Sequence, residues 1–333
     1  MTKRKMSYWM LAGALLTVSC GALLCGNANS SDNVQDLESK SLSAATKQLE
    51  GNGTASNPYL IYDETDLNDI RNYAQYDNAM RSTVIRQYFQ LKSSIVLSDE
   101  WIPIPYALYG SLDGNGYTIS DMSIGINGEG SYGLFAMNFG TIMDLTFNNV
   151  SVNLSAGNDN VIAFGAAVGT NNGMVSNCDL IHTNIDLSNR YNSLVGGVVG
   201  SSYNGEITYC TIYDSCSIRG SGNIGGVVGY ADFTDIENCT NRAEIKYYYR
   251  QVDGSAAGIV GKAAYVTTIQ SCANYAQIKH DGSSNIFDKG DAYMGRIVGY
   301  FGRTCSYVAN SAEGSVVGKG SNWNDTGIGF QEQ

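Results

Sequence analysis

Five copies of one short phrase, each closing on Val-Gly, limit this chain more than any other feature: Val168-Gly169, Val199-Gly200, Val228-Gly229, Val260-Gly261 and Val298-Gly299. Gly196-Gly197-Val198-Val199-Gly200 and Gly225-Gly226-Val227-Val228-Gly229 are the fullest forms, while Ala257-Gly258-Ile259-Val260-Gly261 and Gly295-Arg296-Ile297-Val298-Gly299 are worn. The closing glycines are 31, 29, 32 and 38 residues apart. A period in that range marks a stacked array of supersecondary units.

A second column runs in phase with the first. Cys178, Cys210, Cys239 and Cys272 follow their glycines by 9, 10, 10 and 11 residues, and each leads into an alternating stretch such as Ala243, Ile245, Tyr247 or Ala276, Ile278. Alternation with period two is the mark of a strand with one buried face. Short β-branched strands in units of about 30 residues fit a coil of parallel strands. Propeller blades need four antiparallel strands and about 40 or more residues, for which these units have no room. A degenerate unit comes first, with Gly133-Leu134-Phe135 in place of the glycine phrase and Leu145 in the cysteine column. The expected fold is therefore all-β, a right-handed parallel β-helix of about six rungs. Its 39 glycines are expected to supply positive φ or tight packing at the corners, with Gly200, Gly229 and Gly261 as structural punctuation.

The N-terminus speaks to compartment. Lys3, Arg4 and Lys5 precede an apolar stretch from Tyr8 to Leu24 and a small-residue end at Gly26-Asn27-Ala28, so residues 1–28 read as a secretory signal. Leu16-Thr17-Val18-Ser19-Cys20 approaches a lipidation box, which makes Cys20 a lipidation candidate and leaves anchoring and simple cleavage both open. Without that segment 31 acidic side chains face 17 basic ones, a formal charge of −14 that disfavours nucleic acid and anionic lipid. The expected location is exported, at the cell surface or secreted, with membrane contact only through a lipid anchor.

Residues 29–52 are poor in large apolar side chains and read as a tether. Residues 53–124 read as an N-terminal cap and first coil, since a stack of rungs needs a distinct element over its open end. Within them Leu67, Ile70 and Ala74 stand at helical spacing behind Thr65, which predicts one short helix capped by that threonine. Residues 125–333 hold the repeats.

At this point the chain resembles a known family. Gly53 to Ile61, Trp101-Ile102-Pro103-Ile104, Leu112-Asp113-Gly114-Asn115-Gly116-Tyr117-Thr118-Ile119 and the Gly-Gly-Val-Val-Gly phrases are similar to bacterial GLUG-repeat proteins. The resemblance implies an exported, adhesin-like surface protein and brings over no catalytic residues.

Catalytic material is thin. Two histidines, His182 and His280, lie in different units, and no zinc-binding spacing is present. His182 reads as an outward strand residue. The cysteine column reads as small apolar side chains stacked inside the coil, with Cys216 placed in the column of Ile245 and Ile278. Glu206 and Asp235, each four residues before its column cysteine, form the best acidic pair and the basis of an alternative reading as a polysaccharide-degrading lyase or hydrolase. Asp281, Asn285, Asp288 and Asp291 crowd one insertion but match no calcium loop. No metal or other cofactor is expected. The binding reading rests on Tyr247, Tyr248, Tyr249 and Arg250: three successive rings on a strand put at least one outside, where it suits an extracellular glycan or protein ligand.

Overall fold

Every turn of the chain repeats one order of strands and corners. In the turn that begins at Ser193, the strand Ser193–Gly196 meets Val199–Tyr203 at a glycine corner; Glu206–Thr208 and Thr211–Ile212 follow, and Ser217–Gly220 closes the circuit. The next turn repeats it with Gly222–Gly225, Val228–Asp232, Asp235–Glu237, Thr240–Asn241 and Glu244–Tyr247. The computed structural model describes residues 48–73, 86–154, 161–189, 192–248, 254–280, 293–317 and 328–332. All but Gln48 belong to the unit Leu49–Gln333.

Equivalent strands pair in parallel from turn to turn, and four faces result. The first face is a six-stranded sheet running from Gly130–Tyr132 to Tyr293–Gly295; the second has seven strands, from Phe135–Asn138 to Ile328–Gln331. The third is a fifteen-stranded sheet that starts in the cap at Tyr59–Ile61. Five strands from Asn184–Leu187 to Val316–Val317 make the fourth. The fold is a parallel β-helix, and the seven strands of its second face count seven turns where the sequence suggested about six. The extra one is the strand Ile328–Gln331, whose Gly329 stands thirty residues past Gly299 and whose Ile328 is in register with Val298.

Register explains the interior. Ile142, Val175, Ile207, Ile236 and Ile269 lie in one buried column, and Ile185, Ile218, Ile245 and Ile278 in another. Burying each such side chain is worth about 1.5–3 kcal/mol, so the columns dominate the stability of the stack. Cys216 is buried but does not share the second column. Ser217 pairs with Glu244, which puts Cys216 level with Ala243 at the corner before the strand.

Of the two expected reasons for these glycines, tight packing is the one that holds. Gly200, Gly229 and Gly261 have no positive φ; what excludes a side chain is space. A Cβ on Gly200 would lie 2.5 Å from the Phe164 nitrogen, and one on Gly229 2.4 Å from the Val195 nitrogen. Left-handed backbone falls instead on Asp144, Asn177, Tyr209, Asn238, Ser271 and Ala309, which kink the third face just before the cysteine column. The kink accompanies a repeated contact. Each thiol donates to the carbonyl two residues earlier, at 3.5 Å for Cys178, 3.4 Å for Cys210 and Cys239, and 3.3 Å for Cys272.

Buried polar ladders fix the register. The Asn138 amide donates to Asn171 Oδ1 at 2.8 Å, the Asn171 amide to Ser202 at 3.2 Å, and Thr234 to Ser202 at 3.1 Å. A second ladder joins Asn241 to Asn274 at 2.8 Å. Buried amides without such partners would cost about 1–3 kcal/mol each, so a slipped strand is penalised.

At the N-terminal end the helix Glu64–Tyr73 buries Leu67 and Ile70. Its cap is Asp63, not Thr65: Asp63 Oδ1 accepts the Asp66 N–H at 2.9 Å, the bond that a capping side chain makes three residues on. Ala74 lies outside the described residues. Trp101 is buried and donates its indole N–H to the Leu134 carbonyl at 3.1 Å, tying the cap to the first repeat. Among the described residues no helix is long and apolar enough to cross a membrane.

Candidate functional site

Tyr247 belongs to the core. It alternates inward with Ile245, is fully buried, and lies tilted beside His280 at 6.1 Å between ring centroids, so it is withdrawn from ligand contact. The run of three tyrosines put at least one ring outside, and strand parity selects Tyr248, which is half-buried on the fourth face. Tyr249 and Arg250 lie outside the described residues. Arg219, one turn earlier, lays its guanidinium 4.7 Å above the Tyr248 ring and bonds Asp186 at 2.9 Å. Hydrogen bonds from Ser188 and Arg219 outweigh burial and hold the Asp186 carboxyl below its ordinary value.

The same face carries a stack of cations. Asp186, Arg219, Lys246 and Lys279 are in register on successive turns. Like charges directly opposite destabilise a sheet, and Glu244 relieves the contact by bonding Lys246 at 2.8 Å and Lys279 as well. Those bonds, Lys246 first, hold Glu244 below the usual carboxylate range. Arg242 repeats the motif around the corner, 4.4 Å over the Tyr275 ring. Rings on this side are therefore held in place by cations from the neighbouring turn.

Glu206 and Asp235 are direct register partners on the exposed side of the third face. Met174 and Thr268 flank them in the same column, so the acidic patch is two residues wide. His182, the nearest thing to a base in the sequence, is an exposed left-handed corner residue bonded to Asn148 at 3.0 Å, not a strand residue. Asp113-Gly114-Asn115-Gly116 forms a tight turn, with Asn115 N–H on Asp113 at 2.7 Å and Tyr117 N–H on Gly114 at 2.8 Å. The cluster Asp281, Asn285, Asp288 and Asp291 lies outside the described residues, as do Cys20 and residues 1–47. Among the described residues no three metal-ligating side chains converge.

The cysteine column is interior, and all six described cysteines are free thiols. Burial pushes the Cys178 and Cys239 thiols well above their ordinary range, the opposite of what a nucleophile or redox thiol needs, while the contact with Cys239 holds the Cys272 thiol below its ordinary value.

One feature escaped the sequence reading. The residues after the closing glycines form one column on the second face, in register from turn to turn: Thr170, Ser201, Tyr230, Lys262, Tyr300 and Phe330; Ser201 is buried and the later members are at least partly exposed. Small hydroxyls thus give way to rings toward the C-terminal end. The signal was the glycine repeat itself, read one residue further on.

A parallel β-helix with a glycine corner in every turn and ring-bearing outer faces is the class that these features define. The chain carries the GLUG motif, which matches residues 191–212 and 220–246. Over 173 residues, 48% of its length, it is 32% identical to halomucin of Haloquadratum walsbyi; the match spans 2% of that protein. A Bacteroides ovatus protein provisionally named an immunoglobulin A1 protease has a solved structure that superposes with a TM-score of 0.51, at 17% identity, over 78% of this chain and 86% of that one. That likeness concerns the fold.

Proposed function

We propose that the protein is an exported, surface-associated β-helical binding module of adhesin type, without catalytic activity, whose outer faces present rings and cations to extracellular glycan or protein ligands. The observation that carries this reading is the repeated outward pairing of a ring with a cation, Arg219 on Tyr248 and Arg242 on Tyr275, on a rigid stack. Rings fixed by their neighbours lose little freedom on binding and make good contact points. The GLUG repeats and the similarity to halomucin support a surface or secreted setting.

A second reading has one observation in its favour: Glu206 and Asp235 are adjacent in register, as paired carboxylates of a glycan-cleaving enzyme would be. Reducing-end release from acidic and neutral polysaccharides decides between them, with Glu206→Gln/Asp235→Asn as control. The binding module releases nothing, and its attachment weakens in Tyr248→Ala while the carboxylate variant binds like the parent. Release that vanishes in the carboxylate variant makes the protein an enzyme.

A further inference from the structure

The outward column of the second face bears a site of its own. Tyr230, Lys262, Tyr300 and Phe330 follow one another on four successive turns. Tyr203 flanks Tyr230 at 5.6 Å between ring centroids, and Tyr300 stacks on Phe330 at 5.3 Å. Tyr265, 62% exposed, stands at the adjoining corner. On the earlier turns the same column holds Thr170 and Ser201, so the strip of rings is confined to the C-terminal half.

Mutual support between neighbouring rings accounts for part of this strip. It does not account for Lys262. That residue interrupts the ring column, its ammonium lies 4.7 Å from the Tyr300 ring centroid, and among the described residues no carboxylate lies within ion-pair distance of it. A column built only to pack would continue with a ring or a β-branched residue.

The rim is made of groups that donate and accept without net charge. Glu332 accepts from the Tyr300 hydroxyl at 3.1 Å and faces Arg303 at 3.4 Å, and Asp232 accepts the Tyr265 N–H at 3.1 Å. Burial and then Asp232 push the Tyr230 phenol upward, so it stays a donor across the physiological range. Two carboxylates against two cations, on a chain of net charge −11, do not attract a polyanion. Flat rings with a hydroxyl, amine and carboxylate rim match the apolar C–H faces and equatorial hydroxyls of uncharged sugars. One side chain per turn, repeating about every 4.8 Å, matches a polymer better than a single sugar.

We propose that the column Tyr230–Lys262–Tyr300–Phe330, flanked by Tyr203 and Tyr265, binds a neutral polysaccharide lying across the turns. The proposal rests on the binding-module reading and names a site apart from Tyr248.

The test is affinity electrophoresis of the full exported chain in gels containing barley β-glucan, yeast mannan or polygalacturonate, with melting followed by circular dichroism. The parent is retarded by a neutral polymer and not by polygalacturonate. Tyr230→Ala/Tyr300→Ala weakens that retardation at least about tenfold, Tyr230→Phe/Tyr300→Phe keeps most of it, and Tyr265→Ala and Lys262→Ala, both at the surface, weaken it without lowering the melting temperature. No retardation by either neutral polymer, retardation by polygalacturonate alone, or retention of neutral-polymer binding in folded Tyr265→Ala and Lys262→Ala would each overturn the proposal. So would rings that prove to mediate self-association in sedimentation. If binding is lost in Tyr248→Ala but untouched in these variants, this site falls while the binding module stands; if carboxylate-dependent release is found, the binding-module reading falls by itself.

Discussion

Two of the bends that recur from rung to rung obey different physics. At the glycine corner the second-face strand presses against the backbone of the preceding turn, and a methyl group on Gly229 would sit 2.4 Å from the Val195 nitrogen and 2.6 Å from the Leu194 carbonyl carbon. At the kink of the third face the constraint is a dihedral angle, near +55° in every turn from Asp144 to Ala309. Space admits no compromise, whereas a left-handed residue costs about 1–2 kcal/mol. The first corner keeps its glycine in every repeat but the degenerate first one, where Ala136 stands level with Gly169, and the second accepts Asp, Asn, Tyr, Ser and Ala. A column that holds one residue type through the full repeats thus reports a collision, and one that drifts among several reports a torsion.

The comparison breaks most readily at its strong end. Gly229→Ala is expected to cost at least about 4 kcal/mol or to prevent folding, because the atoms it meets are backbone. Gly116→Ala, at φ 76° with nothing within 4 Å of the new methyl, should cost only about 1 kcal/mol. Equal losses in chemical denaturation would mean that torsion governs both corners. Next comes the column behind the kink. Cys239→Ala removes a buried sulfur and should cost about 1–2 kcal/mol, and reductant should leave the melting temperature of the parent unchanged, since the thiols are free.

The weak end sharpens the rule with a gain. Tyr209 holds a φ of 57° while its ring is 59% exposed, so Tyr209→Gly should stabilise by up to about 1 kcal/mol, whereas Asn238→Val should lose about as much. The smallest expected effect is electrostatic. Glu244 has its pKa lowered by Lys246 and Lys279, so its contribution is present above the ordinary glutamate pKa and is lost as pH falls through the lower folded value. A Glu244→Gln variant should be slightly less stable than the parent at neutral pH, with the difference disappearing as pH falls below the folded Glu244 pKa, so that its acid limb is slightly shallower.

Much of this architecture was legible because the repeat is physical before it is biological. The glycine spacing and the cysteine column gave the stack, and the register Leu145–Cys178 bears out even the degenerate first unit. The seventh turn was missed because Gly327-Ile328-Gly329 retains only the end of the phrase. For the corner glycines both causes stayed open, since sequence shows that a glycine is needed but not whether space or torsion needs it; the structure selects space. The helix was placed and its cap was not: Thr65 and Asp63 are both good caps, and the Asp63 bond to Asp66 decides. Tyr247 was misassigned although the alternation Ala243, Ile245, Tyr247 already gave its parity; the register of Ile245 with Ile218 and Ile278 bears that parity out.

The buried ladder from Asn138 through Asn171 and Ser202 to Thr234 has a consequence for how such a molecule changes over time. A side-chain hydrogen bond joins each member to the one on the next turn, so loss or gain of part of a turn leaves a buried polar group without its partner. A whole turn, removed or copied with its polar residue, leaves the chain of bonds intact. Length can then vary in steps of one rung, about 4.8 Å of height each. The molecule is built to be edited by the turn and protected against being edited by the residue.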